Sequence, residues 1–177
     1  VERAVLAILA RINHQILDLR NFFKRGREVS ISNYLDERVI LFLNVDQRDA
    51  ALRTLVDSLE KAGKLQNKED FYQAILERER IVSTGIGIGV AIPHAKLSGY
   101  GDFFIAIGIQ KKQGLEWNAL DGSQVRLIFM IGGPENKQTE YLKILSRLTM
   151  AIKDEERRKK LLKATTPHEV IELFQGC

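Results

Sequence analysis

Residues Ser83-Thr84-Gly85-Ile86-Gly87-Ile88-Gly89-Val90-Ala91-Ile92-Pro93-His94 constrain this chain more than any other stretch. Three glycines alternate with single apolar residues, and an apolar run then ends in Pro-His. Glycine at every second position lets the backbone approach another group closely or take φ > 0. Pro93 restrains the chain just before a histidine, the side chain best suited to giving and taking a group near neutral pH. The combination points to a backbone cradle beside one reactive imidazole. Nothing else in the chain reads as chemistry.

The spacing excludes the common nucleotide folds. A dinucleotide fingerprint needs G-x-G-x-x-G between a strand and a following helix. Here the pattern is G-x-G-x-G, with a helical pattern before it and a strand-like run after it. No Gly-Lys-Ser/Thr triplet occurs, so a Walker A loop is absent as well. A lone histidine near an apolar strand is often a satisfied core residue. Against that stand the restrained backbone at Pro93 and the donors of Ser83, Thr84 and the glycine amides, which could bind an anion as a nest. On the residues alone, the structural and the reactive His94 both stand.

The chain has 177 residues, 45% apolar and 28% charged, which suits one soluble domain with a short extension. No apolar run approaches the roughly 20 residues that span a bilayer, and no secretory signal is read at the start. The single cysteine, Cys177, is the last residue, so no intrachain disulfide or thiolate metal site is available. A cytoplasmic location fits. His14, His94 and His168 lie far apart without metal-ligand spacing, so no metal and no cofactor are expected. The net charge of +4 is small against 27 basic and 23 acidic residues. The densest charge block, residues 153–160, runs acidic to basic, as suits the two ends of a solvated helix. It carries no interleaved aromatics, so nucleic acid is not an expected partner.

Residues 1–30 differ from the rest. Val5, Leu9, Ile12, Ile16, Leu19 and Phe23 recur at alternating spacings of four and three, an a/d seam on an amphipathic helix. Lys24-Arg25-Gly26-Arg27 breaks the pattern. A seam this short is marginal alone, so it either packs on the domain or pairs with a second chain. Leu6, Ile8 and Phe22 widen the apolar face and slightly favour pairing, which would make residues 1–30 a dimerisation element.

Arg38–Leu43 reads as a buried strand. Asp46 is expected to cap the helix that follows, which Gly63 ends. Asn67 caps a second helix burying Phe71, Ile75 and Ala74 and ending near Arg80. Strand-like runs follow at Phe103–Ile109 and Val125–Ile131, with Gly132-Gly133-Pro134 stopping the last. A helix then carries Tyr141, Leu142, Ile144, Leu145, Leu148 and Ile152. Thr166-Pro167-His168-Glu169 is a capping box that starts a closing helix through Phe174. Strands and helices are mixed without strict alternation. The expected fold is therefore α/β, a single domain over 31–177 with a mixed β-sheet flanked by helices, plus the N-terminal helix.

The run from Ser83 to His94 resembles the long Ser-Thr-Gly-Ile-Gly-x-Gly-x-Ala-x-Pro-His signature of the fructose–mannitol type enzyme IIA of the bacterial phosphoenolpyruvate-dependent phosphotransferase system. The nitrogen-regulatory enzyme IIA belongs to the same family. The resemblance runs roughly from Asn33 to Phe174 and takes in Arg78-Glu79, the Trp117-Asn118-Ala119-Leu120-Asp121-Gly122 turn and the Leu142-Lys143-Ile144-Leu145 helix. It implies that His94 is a phosphorylated nucleophile, charged by the histidine of the carrier protein HPr and able to pass the group to a cysteine of an enzyme IIB partner. Arg78 would neutralise phosphoryl charge, with Arg80 as a weaker substitute. Ser83, Thr84, Gly85, Gly87 and Gly89 would hold phosphate oxygens. Transfer between imidazoles needs positioning and charge stabilisation, so one nitrogen of His94 should be free while the other donates to a carbonyl.

One position departs from the family pattern. Where a second histidine is usual, this sequence has Tyr141, whose hydroxyl can donate a hydrogen bond but cannot become cationic. His14 and His168 do not substitute for it; each reads as a surface or helix-end residue. No enzyme IIB or membrane domain is read within these 177 residues. These features tilt the expectation toward a regulatory, nitrogen-type phosphocarrier whose phosphorylation state selects a target protein. A sugar-transport enzyme IIA and a binding module that is never phosphorylated are the alternatives.

Overall fold

The computed structural model describes residues 28–177. The expected N-terminal helix and its dimerisation seam lie outside the described residues, as does His14.

Six strands form one mixed sheet. They are β1 (Ile40–Leu43), β2 (Gly85–Gly87), β3 (Val90–Ala91), β4 (His94–Leu97), β5 (Phe104–Gln110) and β6 (Leu127–Pro134), in the order β1-β5-β6-β3-β2 with β4 also on β6. β1 runs parallel to β5, and β5 antiparallel to β6. Along its other edge β6 pairs in parallel first with β3, Val90 opposite Leu127, and then with β4, His94 opposite Ile131. The register is the same on both sides of Ile92-Pro93. β3 and β4 are thus one strand line interrupted where Pro93 has no N–H to give. The histidine emerges just after that break.

Helices cover both faces: α1 (Arg48–Lys61) and α2 (Lys68–Ile81) on one, α3 (Gln138–Lys153), α4 (Glu155–Lys163) and α5 (Pro167–Glu172) on the other. Because side chains alternate along a strand, Ile105, Ile107 and Ile109 pack toward Ile144, Leu148, Leu161 and Phe174. Phe104 and Ala106 pack toward Leu52, Leu55 and Phe71. Both faces being covered, the central strands read as continuous apolar runs. Gly108 is small by necessity, since a Cβ there would stand 2.8 Å from the Leu43 side chain.

Several expected ends shift. Asp46 does not cap α1: Gln47 holds that position without a side-chain bond, and Asp46 faces Lys112 at 3.7 Å. Arg38 and Val39 lie in a single 3-10 turn (Glu37–Val39), because Asp36 accepts the Arg38 N–H at 3.0 Å. β6 starts at Leu127, Val125 forming only a bridge with Leu115, and β6 runs on through Gly132-Gly133-Pro134 because β4 keeps pairing with it there. α5 ends at Glu172, short of Phe174, and Glu169 reaches the Thr165 N–H rather than that of the cap residue. Elsewhere the caps fall as read. Asn67 accepts from the Asp70 N–H at 3.0 Å. Gly63, at φ 68°, closes α1 with the Gly63 and Lys64 amides on the Glu60 and Leu59 carbonyls.

Candidate functional site

His94 opens the edge strand β4, between the C-terminal turn of α2 on one face and the first turn of α3 on the other. Its Nδ1 lies 2.9 Å from the Ile92 carbonyl oxygen, and its Nε2 accepts from Arg78 Nε at 3.0 Å. A guanidinium can only donate. Nε2 therefore carries the lone pair, and Nδ1 carries the proton that it donates to Ile92. Arg78 is itself fixed, its Nη1 donating to the Val82 carbonyl at 2.9 Å, beyond the last turn of α2. Burial, and then the Arg78 and Lys96 charges, hold His94 below its ordinary pKa, while the Ile92 hydrogen bond pulls the other way. The imidazole is neutral near pH 7, as a nucleophile must be.

Arg80 does not reach this cluster; it pairs with Glu77 at 2.9 Å on the surface. His168 is far off, bridging Glu37 at 3.3 Å and Glu172 at 3.2 Å. Tyr141, from α3, faces His94 with ring centroids 5.7 Å apart. Burial pushes its phenol up to about 12, so it stays protonated.

The glycine run is stitched to the turn at residues 117–123. The Ile88 N–H donates to Asp121 Oδ2 at 2.8 Å, and the Gly89 N–H to Ser123 Oγ at 3.2 Å. The Gly85 N–H donates to Ser83 Oγ at 3.1 Å, and that hydroxyl donates to the Trp117 carbonyl at 2.5 Å. The glycines permit this approach: a Cβ on Gly85 would meet that of Ala119 at 3.0 Å, and one on Gly87 would meet Asp121 Oδ2 at 2.8 Å. Three of the amides expected to hold phosphate oxygens, those of Thr84, Gly85 and Gly89, thus already have protein partners, as does the Ile88 amide between them. The close backbone approach is real, but it is made to the chain's own turn.

Two residues join the site that motif reading did not assign. Glu79, buried, accepts both the N–H and the hydroxyl of Thr84, at 2.8 and 2.6 Å, while the Trp117 indole donates to the same hydroxyl at 3.2 Å. Thr84 in turn accepts the Ile92 N–H at 3.0 Å. The path Glu79–Thr84–Ile92 ends on the carbonyl that sets the His94 tautomer. Lys96 is the second. It stands two residues along β4 from His94 and so on the same face, with its ammonium 4.3 Å above the Tyr141 ring. Strand alternation was the available signal for Lys96; nothing local pointed to Glu79 beyond its place beside Arg78. Among the described residues no cluster of His, Cys, Asp and Glu is arranged to hold a metal ion, and no helix is long and apolar enough to cross a membrane.

The comparison that decides the family is the match of residues 33–177 to the phosphoenolpyruvate-dependent sugar phosphotransferase system, EIIA 2. The chain belongs to this EIIA family. It is 39% identical over 134 residues to the fructose-specific EIIABC component of Bacillus subtilis, spanning 75% of this chain but only 21% of that protein. It is 32% identical over 127 residues to the nitrogen regulatory protein of Bradyrhizobium diazoefficiens, 71% of this chain and 80% of that one. Its fold matches the nitrogen regulatory protein IIA-Ntr of Neisseria meningitidis with a TM-score of 0.75 at 28% identity, covering 81% and 98% of the two chains. This EIIA chain is thus similar to both sugar-specific and nitrogen-regulatory relatives.

Proposed function

We propose that the protein is a phosphohistidine carrier of the phosphotransferase system, with His94 Nε2 as the acceptor atom. The observation that carries this reading is the pair of bonds on one imidazole: Nδ1 locked to Ile92, Nε2 unprotonated and facing a guanidinium. The donor is the phosphohistidine of an HPr-type protein. The Nε2 lone pair forms the new N–P bond as the donor's N–P bond breaks in line with it, and that electron pair returns to the donor ring. The His94 Nδ1 proton stays on its bond to Ile92, so no proton leaves the site. Arg78 releases the lone pair and meets the incoming phosphoryl oxygens, where a guanidinium can grip two at once. No metal or nucleotide has a part in the step.

Exposed apolar side chains lie on the segments that frame the site. Ile81 and Val82 follow Arg78, Ile86 and Ile88 stand on the glycine run, and Leu120 stands on the turn beneath it. Exposed apolar side chains of this kind suit the seating of a carrier protein. Downstream, Tyr141 in place of a second cationic histidine favours a regulatory role, in which phosphorylation state selects a target protein. Onward transfer to an enzyme IIB cysteine is the second reading, favoured by the likeness to the fructose-specific relative.

Incubation with phosphoenolpyruvate, enzyme I and HPr, followed by intact mass, tests the reading. One acid-labile phosphoryl group is expected on the wild type and none on His94→Ala. An unmodified wild type would sink the carrier role, and a modified His94→Ala would sink the site.

A further inference from the structure

We propose that Lys96 is the second cation of the phosphoryl site, held on the Tyr141 ring until His94 carries its phosphoryl group. The inference rests on the reading that His94 is the acceptor.

Three observations carry it. First, β4 sends the His94 and Lys96 side chains to the same side, and Tyr141 links them: its ring is 5.7 Å from the imidazole and 4.3 Å from the Lys96 ammonium. Second, the Lys96 ammonium has only neutral partners, the Tyr141 π-face and the Gln138 side-chain oxygen to which it donates. It forms no ion pair with any carboxylate among the described residues. The one acid in the first turn of α3, Glu140, is instead taken by the Tyr34 hydroxyl at 3.0 Å. Third, burial lowers the Lys96 pKa, and the Lys96 charge is already felt at His94. An ammonium that is partly dehydrated and unneutralised has much to gain from a nearby dianion.

The geometry also gives Tyr141 a task. A tyrosine cannot be a cation, but its ring can hold one. Arg78 approaches the imidazole from α2, while Lys96 waits on the α3 side. A phosphoryl group on Nε2 would lie between them, and the flexible lysine stem lets the ammonium leave the ring and reach its oxygens. The site thereby has two cations around the phosphoryl group with one histidine.

The test is the equilibrium of phosphoryl exchange with phosphorylated HPr, measured for wild type, Lys96→Gln, Lys96→Arg and Tyr141→Leu. Lys96→Gln should shift the equilibrium roughly tenfold toward HPr, the loss expected for one charge-assisted hydrogen bond, and Lys96→Arg should restore most of it. Tyr141→Leu, which removes the platform and keeps the cation, should fall between. In the wild type the Tyr141 ring proton resonances should move on phosphorylation as the ammonium departs, and they should move far less in Lys96→Gln. A phosphorylated wild type with the same equilibrium in Lys96→Gln would overturn the proposal while leaving His94 as acceptor. A wild type that takes no phosphoryl group would overturn both.

Discussion

Arg78 Nε donates to His94 Nε2 at 3.0 Å, so the guanidinium covers the ring lone pair that the proposed phosphoryl transfer would use. The contact fixes the tautomer and keeps a second proton off the ring; on the proposed carrier reading it also places the neutralising charge where the new bond would form. It must also loosen before the donor phosphorus arrives. On that reading Arg78 guards the resting imidazole and would be a ligand of the charged one.

Removing that guanidinium separates the two roles. Arg78→Ala should slow transfer from phosphorylated HPr by roughly 10²–10³-fold, the usual cost of one preorganised donor to a developing anion. Rapid-quench kinetics at fixed pH reads it. Arg78→Lys should recover only part, since a point charge lacks the fork.

The His94 proton equilibrium follows from the same surroundings. Burial first, then the Arg78 and Lys96 charges, lower its pKa in the folded state. Its titration midpoint should lie below the ordinary value of about 6.5 and rise toward it in Arg78→Ala. Between the two pKa values the unfolded chain binds the proton that the folded one refuses. Stability should therefore fall as pH drops below about 6.5, and less steeply in His94→Gln. NMR titration and urea unfolding at several pH values check both.

Glu79→Ala should leave the buried Thr84 N–H and hydroxyl without their acceptor, costing about 1–3 kcal/mol of stability. Because Thr84 holds Ile92, and Ile92 orients the imidazole, transfer should slow as well. Glu79→Gln, which keeps one acceptor oxygen, should lose less of each. Urea denaturation paired with transfer rates separates this from simple unfolding.

Ile88 is a β-branched residue at φ 53°, held there by the Asp121 carboxylate on its N–H at 2.8 Å. That conformation costs a branched side chain about 1–2 kcal/mol. Ile88→Asn, which tolerates it, should stabilise the fold by about 1 kcal/mol. If the exposed isoleucine seats the partner, the same change should weaken HPr docking. Thermal unfolding and binding titration read the two effects independently.

Where structure depends on neighbours in sequence, the chain was legible. The Asn67 and Thr166 caps, the Gly63 stop and the apolar strand runs follow from residues a few positions apart. The Ser83–His94 run could be read for its family because its pattern is long. Misreadings came where a distant partner decides. Asp46 is at Lys112 rather than on the helix, and β6 persists through Gly132-Gly133-Pro134 because β4 lies beside it. Amides of the glycine run looked open because Asp121 and Ser123, which occupy those of Ile88 and Gly89, are more than thirty residues away. Glu79 matters through a tertiary path, and Lys96, though strand alternation puts it on the His94 face, matters through a ring on a distant helix.

The nitrogen that bears the phosphoryl group tests the account most directly. The protein, with isotope-labelled histidines, is charged from phosphoenolpyruvate through enzyme I and HPr and followed by long-range proton–nitrogen correlation spectra. The account predicts phosphorus on Nε2 of His94, with Nδ1 still protonated and bonded to Ile92. Phosphorus on Nδ1, or on another histidine such as His168, would contradict it.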